Sequence, residues 1–137
     1  MSSARGTVTM GGDGLANPIF IQLATAEIAE GTLATMVGGD MHQVAGAQKF
    51  IKAYESQYGE IGQWSAYAYD AASILIEAIR KSGAKDRESV LKAMRQIPQF
   101  DGVTGKVVFD EKGDNKNQFI GVFKFQNGKL EYIGAAE

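Results

Sequence analysis

The sequence contains no cysteine. A disulfide framework and a thiolate zinc site are therefore both excluded, and cysteine usage says nothing about the redox compartment. Histidine is almost as scarce, because His42 is the only one in the chain. Without a second imidazole to share a metal ion, a histidine-based zinc or iron centre is disfavoured, and we predict no metal site.

Long apolar runs and an excess of positive charge are also missing. No stretch reaches the roughly 20 apolar residues that a helix needs to cross a bilayer, so we predict no membrane insertion. The 14 basic and 16 acidic side chains give a formal net charge of −2, which argues against nucleic acid as a partner. Residues 1–6 lack the charged start and apolar middle of a secretory signal, and we interpret them as a leader or linker without a signal peptide.

A strand-to-helix turn within residues 7–17 is the most informative stretch. Its first four residues have the β-branched bias of a strand, and glycines such as Gly12 and Gly14 can adopt backbone angles closed to other residues. Asn17 is the predicted N-cap of the following helix. Asp13 then lies at a strand end, where open α/β sheets bind ligands, and is a candidate contact for a cationic group. A solvated turn aspartate is the alternative.

Periodicity along the chain predicts an α/β fold. A strand–helix–strand unit ends with a strand over residues 32–37, which should be parallel to the first strand. Three amphipathic helices and a β-hairpin follow. The predicted helices cover residues 44–58, a run that begins just after Trp64 and ends near Ser82-Gly83, and a run to residue 97 with Asp86 as its N-cap. The predicted strands cover residues 106–109 and 119–126, and the chain turns back after the second of these at Asn127-Gly128. The residues predicted to face inward are Ile19, Phe20 and Leu23 on the first helix, and Tyr67, Ala71, Ile74, Leu75, Ala78 and Ile79 on the longest helix.

Motifs for cofactors and catalysis are weak. Residues 12–17 are similar to a dinucleotide fingerprint, but Asp13 within that turn would repel a pyrophosphate. Residues 110–115 have the acidic character of a calcium loop, but the glycine falls at the wrong position and the closing glutamate is absent. No serine nucleophile elbow is present. We therefore predict no cofactor, no catalytic residue and no enzymatic activity.

Aromatic residues near the longest helix are candidate pocket walls. Trp64 precedes that helix, where its ring could wall an apolar ligand pocket or pack in the core, and both alternatives stay open. The tyrosines could also line a pocket, although their helical spacing favours core and rim packing: Tyr54, Tyr58, Tyr67 and Tyr69.

Four segments carry a resemblance to a known family: MGGDGLAN at 10–17, AEGTLAT at 29–35, YAYDAA at 67–72 and VTGKVVFDEKGD at 103–114. They resemble the C-terminal part of branched-chain amino-acid binding proteins, the type I periplasmic binding proteins that deliver ligands to ABC transporters. The similarity covers nearly the whole chain after the predicted leader. Its most specific part is FDEKGD together with the Asn127-Gly128 hairpin.

The resemblance implies two α/β lobes with a ligand held in the cleft between them. Asp13, flanked by Gly12 and Gly14, would bind the ammonium group of the ligand, and Trp64 would cover its side chain. Aspartate is shorter than the glutamate common in the family, so the identity of the ligand stays open. The implied lobes are residues 7–37 with 119–137 and residues 44–109, and the implied hinge crossovers are 38–43 and 110–118.

The chain is much shorter than a complete member of that family, whose long N-terminal portion supplies most of the first lobe. We therefore interpret it as a fragment that folds only with a partner, either a second copy that exchanges segments or the remainder of the protein. The first functional hypothesis is a solute-binding fragment whose parent, periplasmic or extracellular, delivers an amino acid or similar small amine to an ABC transporter permease. The rival is a reorganised or engineered α/β assembly module, a segment-swapped dimer that binds no ligand.

Overall fold

The structure, a computed structural model, describes residues 7–17, 19–62, 64–83 and 86–136. The predicted leader at residues 1–6 lies outside this range. In chain order the elements are β1 (Met10–Gly11), α1 (Ile19–Ala24), α2 (Ala26–Ala29), β2 (Leu33–Val37), α3 (Gln48–Tyr58), α4 (Ser65–Ser82), α5 (Arg87–Arg95), β3 (Phe100–Gly102), β4 (Gly105–Val107), β5 (Ile120–Gln126) and β6 (Lys129–Ala135), with short 3-10 turns at Met41–Gln43 and Ala45–Ala47.

The described residues divide into two compact units. The first unit comprises those of Met1–Asp40 and Gln118–Glu137, and the second those of Met41–Asn117. Both boundaries fall within the crossovers implied by the resemblance. Whether those segments act as hinges stays a prediction.

The first unit is built on a mixed sheet with the strand order β1-β2-β5-β6. Met10 pairs with Leu33 in parallel, which confirms the predicted parallel strand–helix–strand unit. Only two residues of β1 pair, rather than the four predicted, because β2 begins at Leu33 while Thr32 still hydrogen-bonds to the end of α2. The other two pairings are antiparallel, β2 with β5 and β5 with β6.

The hairpin between β5 and β6 has the predicted two-residue turn. Asn127 has φ 52° and Gly128 has φ 72°, which are the positive angles of the twisted turn that suits adjacent strands. The Asn127 N–H also donates to the Glu30 carboxylate at 2.9 Å, and the Gly31 N–H donates to the Phe125 carbonyl at 2.8 Å. The hairpin is thereby joined to the end of α2.

The core of the first unit lies between α1, α2 and the sheet. Its buried residues are Ala16, Ala29, Ala34, Met36, Phe123 and Phe125. Of the predicted inward face of α1, only Phe20 packs here, because Ile19 and Leu23 are 53% and 81% exposed. The helix ends at Ala24, since Thr25 adopts φ 71°. So short a helix packs only Phe20 and its neighbour Ile21 against the core, and both are partly buried.

The second unit packs α4 against α5 and the β3–β4 hairpin. Asp86 caps α5 as predicted, because its carboxylate accepts a hydrogen bond from the Ser89 N–H at 2.9 Å, and this bond holds the pKa of Asp86 below its usual value. Gly83, with φ 63°, ends α4 as predicted. The buried core residues are Ile74, Ala78, Ala93, Ile97 and Val107.

The buried stripe of α4 differs from the predicted one. The buried residues are Ala66, Asp70, Ile74 and Ala78, whereas Ala71, Leu75 and Ile79 are exposed. The observed stripe repeats every four residues, as expected where one helix packs a row of side chains against its neighbour. β3 was not predicted at all, because Phe-Asp-Gly is too short to show an alternating pattern.

Candidate functional site

Asp13 lies in a tight turn at the end of β1. The Leu15 N–H donates to the Gly12 carbonyl at 3.0 Å, and the Ala16 N–H donates to the Asp13 carbonyl at 3.1 Å. The side chain of Asp13 is exposed, and its Oδ1 accepts a hydrogen bond from the Gly14 N–H at 2.8 Å. The turn therefore presents an oriented carboxylate on the surface of the first unit.

The glycines of this turn have different roles. A Cβ on Gly11 would lie 2.6 Å from the Leu15 side chain, so close packing requires glycine there. Gly12 and Gly14 have no positive φ, and nothing lies within 4 Å of the position that a Cβ would take. The predicted reason for glycine at these two positions, unusual backbone angles, is therefore wrong. Because Gly12 and Gly14 have no side chains, the surface on both sides of Asp13 is uncrowded.

The turn is anchored to the core by the helix that follows it. The Asn17 side-chain oxygen accepts a hydrogen bond from the Ile19 N–H at 2.9 Å, which confirms the predicted N-cap. One residue further on, the Phe20 ring packs on Phe125 with centroids 5.0 Å apart. Asp13 thus lies between a paired strand and a capped helix, and its position is fixed by both.

Trp64 lies directly before α4 in the second unit. Its indole is 46% exposed, and its ring centroid is 6.0 Å from that of Tyr67. Because nearly half of the side chain is exposed, Trp64 is not a core residue, and its ring lies on the surface, as a pocket wall would require. Asp13 and Trp64 belong to different units, and their contribution to one ligand site stays a prediction.

The second unit contains an aromatic groove of about 680 Å³, which lies between α3 and the start of α4. Phe50 is the centre of its wall, with ring centroids 4.7 Å from Tyr69 and 5.8 Å from Tyr54, while Tyr54 is 5.1 Å from Tyr58. Tyr58 and Tyr69 are 72% and 51% exposed, so neither is a core residue. The signal in the sequence was the four-residue spacing of Phe50, Tyr54 and Tyr58, which puts three rings on one helix face.

Asp70 is a buried acid whose role no sequence motif indicates. It is 4% exposed, and its carboxylate accepts hydrogen bonds from the N–H groups of Val103 and Thr104, both at 2.8 Å, and from the Thr104 hydroxyl at 2.6 Å. All three donors come from the turn of the β3–β4 hairpin. Asp70 therefore has a structural role, as the anchor of this turn on α4.

The acidic stretch that resembles a calcium loop is a self-contained turn. Asp110 Oδ1 accepts hydrogen bonds from the N–H groups of Lys112, Gly113 and Asp114 at 2.8 to 2.9 Å. These bonds, with that of Asp114 foremost, hold the pKa of Asp110 below its usual value. Among the described residues there is no group of three acidic, histidine or cysteine side chains that could hold a metal ion. Within the same residues, no helix has the length and apolar character to cross a membrane.

Comparison with known proteins identifies the family to which the chain is similar. Residues 4–129 match the family model described as periplasmic binding protein. The Leu/Ile/Val-binding protein homolog 1 of Brucella abortus (strain 2308) is 30% identical over 125 residues, which are 89% of this chain and 33% of that protein. The chain therefore spans about a third of the length of this curated relative.

Two crystal structures share the fold. A leucine-binding protein from Thermotoga maritima matches with a TM-score of 0.83 at 29% identity, over 96% of this chain and 38% of its own. A branched-chain amino acid transporter substrate-binding protein from Streptococcus pneumoniae, in complex with isoleucine, matches with a TM-score of 0.79 at 28% identity and the same coverage. The predicted α/β fold of a type I periplasmic binding protein is confirmed, while the segment swap stays a prediction. The chain belongs to the periplasmic binding protein family.

Proposed function

We propose that this chain is part of a solute-binding protein that captures an amino acid, or a similar small amine, for uptake by an ABC transporter. The observation that carries the proposal is the exposed carboxylate of Asp13, oriented by the Gly14 N–H at a strand end. Relatives named for Leu/Ile/Val binding and a neighbour crystallised with isoleucine give the chemical class of the ligand.

The chemistry of the three parts of the site supports this ligand. A carboxylate and an ammonium group form charge-assisted hydrogen bonds, which are about twice as strong as neutral ones. The open surface at Gly12 and Gly14 leaves room for the ligand beside Asp13. The ring of Trp64, in the second unit, would exclude water from the apolar side chain of the ligand.

Calorimetry with matched ligands tests the role of Asp13. Leucine, isoleucine and valine should give saturable heat, whereas 4-methylpentanoate, which is leucine without its amine, should give none. Asp13→Asn should weaken leucine binding by at least about tenfold, because a hydrogen bond to a charged group contributes about 1.5–3 kcal/mol. Glu27→Gln, an exposed acid of α2 in the same unit, is the control and should leave binding unchanged. Equal binding of leucine and 4-methylpentanoate would count against an ammonium site.

The role of Trp64 has a separate test. Trp64→Ala should weaken the binding of leucine more than that of glycine, since only leucine has an apolar side chain for the ring to cover. An equal loss for both ligands would contradict a side-chain wall and would indicate a general effect on folding.

For the whole protein, we assign the periplasm as its compartment and the permease of an ABC transporter as its partner, in line with the family.

A second candidate function is an assembly module that binds no ligand. The observation in its favour is the exposure of large apolar side chains, among them Leu23 at 81%, Ile28 at 71% and Tyr58 at 72%. This candidate predicts a stable oligomer, or a requirement for another polypeptide, and no heat with any amino acid. A monodisperse monomer by chromatography with light scattering, with cooperative thermal unfolding, would contradict it.

A further inference from the structure

We propose that the aromatic groove of the second unit is a second binding site, for a flat apolar molecule that carries one negative charge, such as an aromatic carboxylate. The groove involves neither Asp13 nor Trp64. The inference is therefore independent of the proposed amino-acid site, and each can fail without the other.

The size and lining of the groove suit a small molecule. Its volume of about 680 Å³ lies within the range of about 300–1,000 Å³ typical of small-molecule sites. The rings of Phe50, Tyr54, Tyr58 and Tyr69 are tilted against one another by 42° to 53°. They offer both faces and edges to a flat ligand, and Val103 adds an aliphatic contact.

Polar groups converge on the same groove. The Ser65 hydroxyl donates to the Tyr54 hydroxyl oxygen at 3.2 Å, so two hydroxyl groups lie together at the groove. Gln57 and Lys49 also line the groove. A ligand with an oxygen-bearing end could therefore be bound at that end while the rings hold its body.

The charge of the lining decides which end group fits. Of the described lining residues, Lys49 is charged and none is acidic. An aromatic lining alone would also suit a quaternary ammonium ion, through the attraction of a cation for ring faces. Here the ammonium group of Lys49 would repel such a cation and attract a carboxylate, so the groove favours an anion.

Two probes with the same ring system and opposite charges test this inference on the full chain. Naphthoate should bind saturably by calorimetry, and naphthylmethylammonium should bind at least several-fold more weakly. Tyr69→Ala should weaken naphthoate binding by at least about tenfold, because it removes an aromatic contact and part of the apolar wall. Lys49→Gln should weaken naphthoate binding by up to about fivefold, which is the effect expected from the loss of an exposed ion pair.

Three control variants separate the groove from general effects. Lys52→Gln removes a charge from the same helix outside the groove lining, and Phe119→Ala removes a half-exposed ring from the first unit. Both should bind naphthoate as the parent chain does, and so should Asp13→Asn. Circular dichroism of every variant checks that it is folded.

Several outcomes would overturn the proposal. Stronger binding of the cationic probe, no saturable binding of either probe, or equal binding by the parent chain and a folded Tyr69→Ala variant would each do so. Self-association that Tyr69→Ala abolishes, without binding of naphthoate, would instead identify a second copy of the chain as the occupant of the groove.

Discussion

The carboxylate of Asp70 occupies the space that a side chain on Gly102 would need. A Cβ built on Gly102 would overlap both carboxylate oxygens. The absence of a side chain lets the hairpin approach α4 closely enough for the next two N–H groups to donate to Asp70. The turn of the β3–β4 hairpin is therefore held against α4 by this pair of residues, in addition to the core packing of Val107.

Replacement of Gly102 should destabilise the second unit. Gly102→Ala should lower the free energy of unfolding by about 1–3 kcal/mol, since the methyl group would displace a buried, hydrogen-bonded carboxylate. Gly46→Ala is the matched control, because nothing lies within 4 Å of its Cβ position, and its effect should stay within about 0.5 kcal/mol. Urea denaturation of both variants measures the difference. An equal effect of the two substitutions would show that Asp70 moves aside without cost.

The hydrogen bonds of Asp70 can be separated by two near-isosteric substitutions. Asp70→Asn turns one of the accepting oxygens into a donor that faces N–H groups, and it should cost about 1.5–3 kcal/mol of unfolding free energy. Thr104→Val removes the hydroxyl donor alone and should cost about 1 kcal/mol. Asp70→Asn should therefore have a lower midpoint of thermal unfolding than Thr104→Val. The reverse order would mean that the hydroxyl, rather than the main chain, is the main partner of the carboxylate.

Tyr67 should ionise at a pH above the ordinary value for tyrosine. Burial raises its pKa above 10.0, and the negative charge of Asp70 raises it further. The folded state therefore holds the proton more tightly than the unfolded state does. This contribution to stability is fully present below the unfolded pKa and is lost as the pH rises through the folded one.

An ultraviolet absorbance titration, as the difference between the parent chain and Tyr67→Phe, isolates this group. In an Asp70→Asn background the pKa of Tyr67 should fall but stay above 10.0, because the effect of burial is the larger cause. A value below 10.0 in the folded parent chain would contradict the burial of this hydroxyl.

Thr25 is a β-branched residue with a positive φ of 71° and a ψ of 152°. This sparsely populated region costs about 1–3 kcal/mol for a residue with a Cβ, while glycine adopts it freely. Thr25→Gly should therefore raise the free energy of unfolding by about 0.5–1 kcal/mol, after the greater freedom of glycine in the unfolded chain is subtracted. Glu27→Gly, within α2, is the control and should lower it. Chemical denaturation that finds both variants destabilised would contradict the strain at Thr25.

Features that depend on neighbouring residues could be predicted from the sequence. Four local features are as predicted: the helix caps at Asn17 and Asp86, the end of α4 at Gly83, and the Asn127-Gly128 turn. Each of them depends on a few adjacent residues. Their chemistry does not depend on the rest of the fold.

Features that depend on distant contacts could not be predicted in this way. The buried face of α4 is set by its packing against α5 and the hairpin. The helical period could therefore be predicted from the residue pattern, but the burial of Asp70 could not. The groove likewise requires α3 to meet Tyr69 of another helix. For Asp13 and Trp64 the resemblance supplied the roles, and the structure supplies an exposed carboxylate and a half-exposed ring.

In the sheet of the first unit β2 pairs with β5, and Ala34 lies opposite Phe123. These two central strands are separated in the sequence by the whole of the second unit. During synthesis the second unit can be complete while β5 has not yet left the ribosome. The sheet of the first unit can therefore close after the inserted unit has folded. Once the inserted unit is compact, the two ends that must meet are connected by a shorter effective tether, and the entropy lost on closing the sheet is smaller.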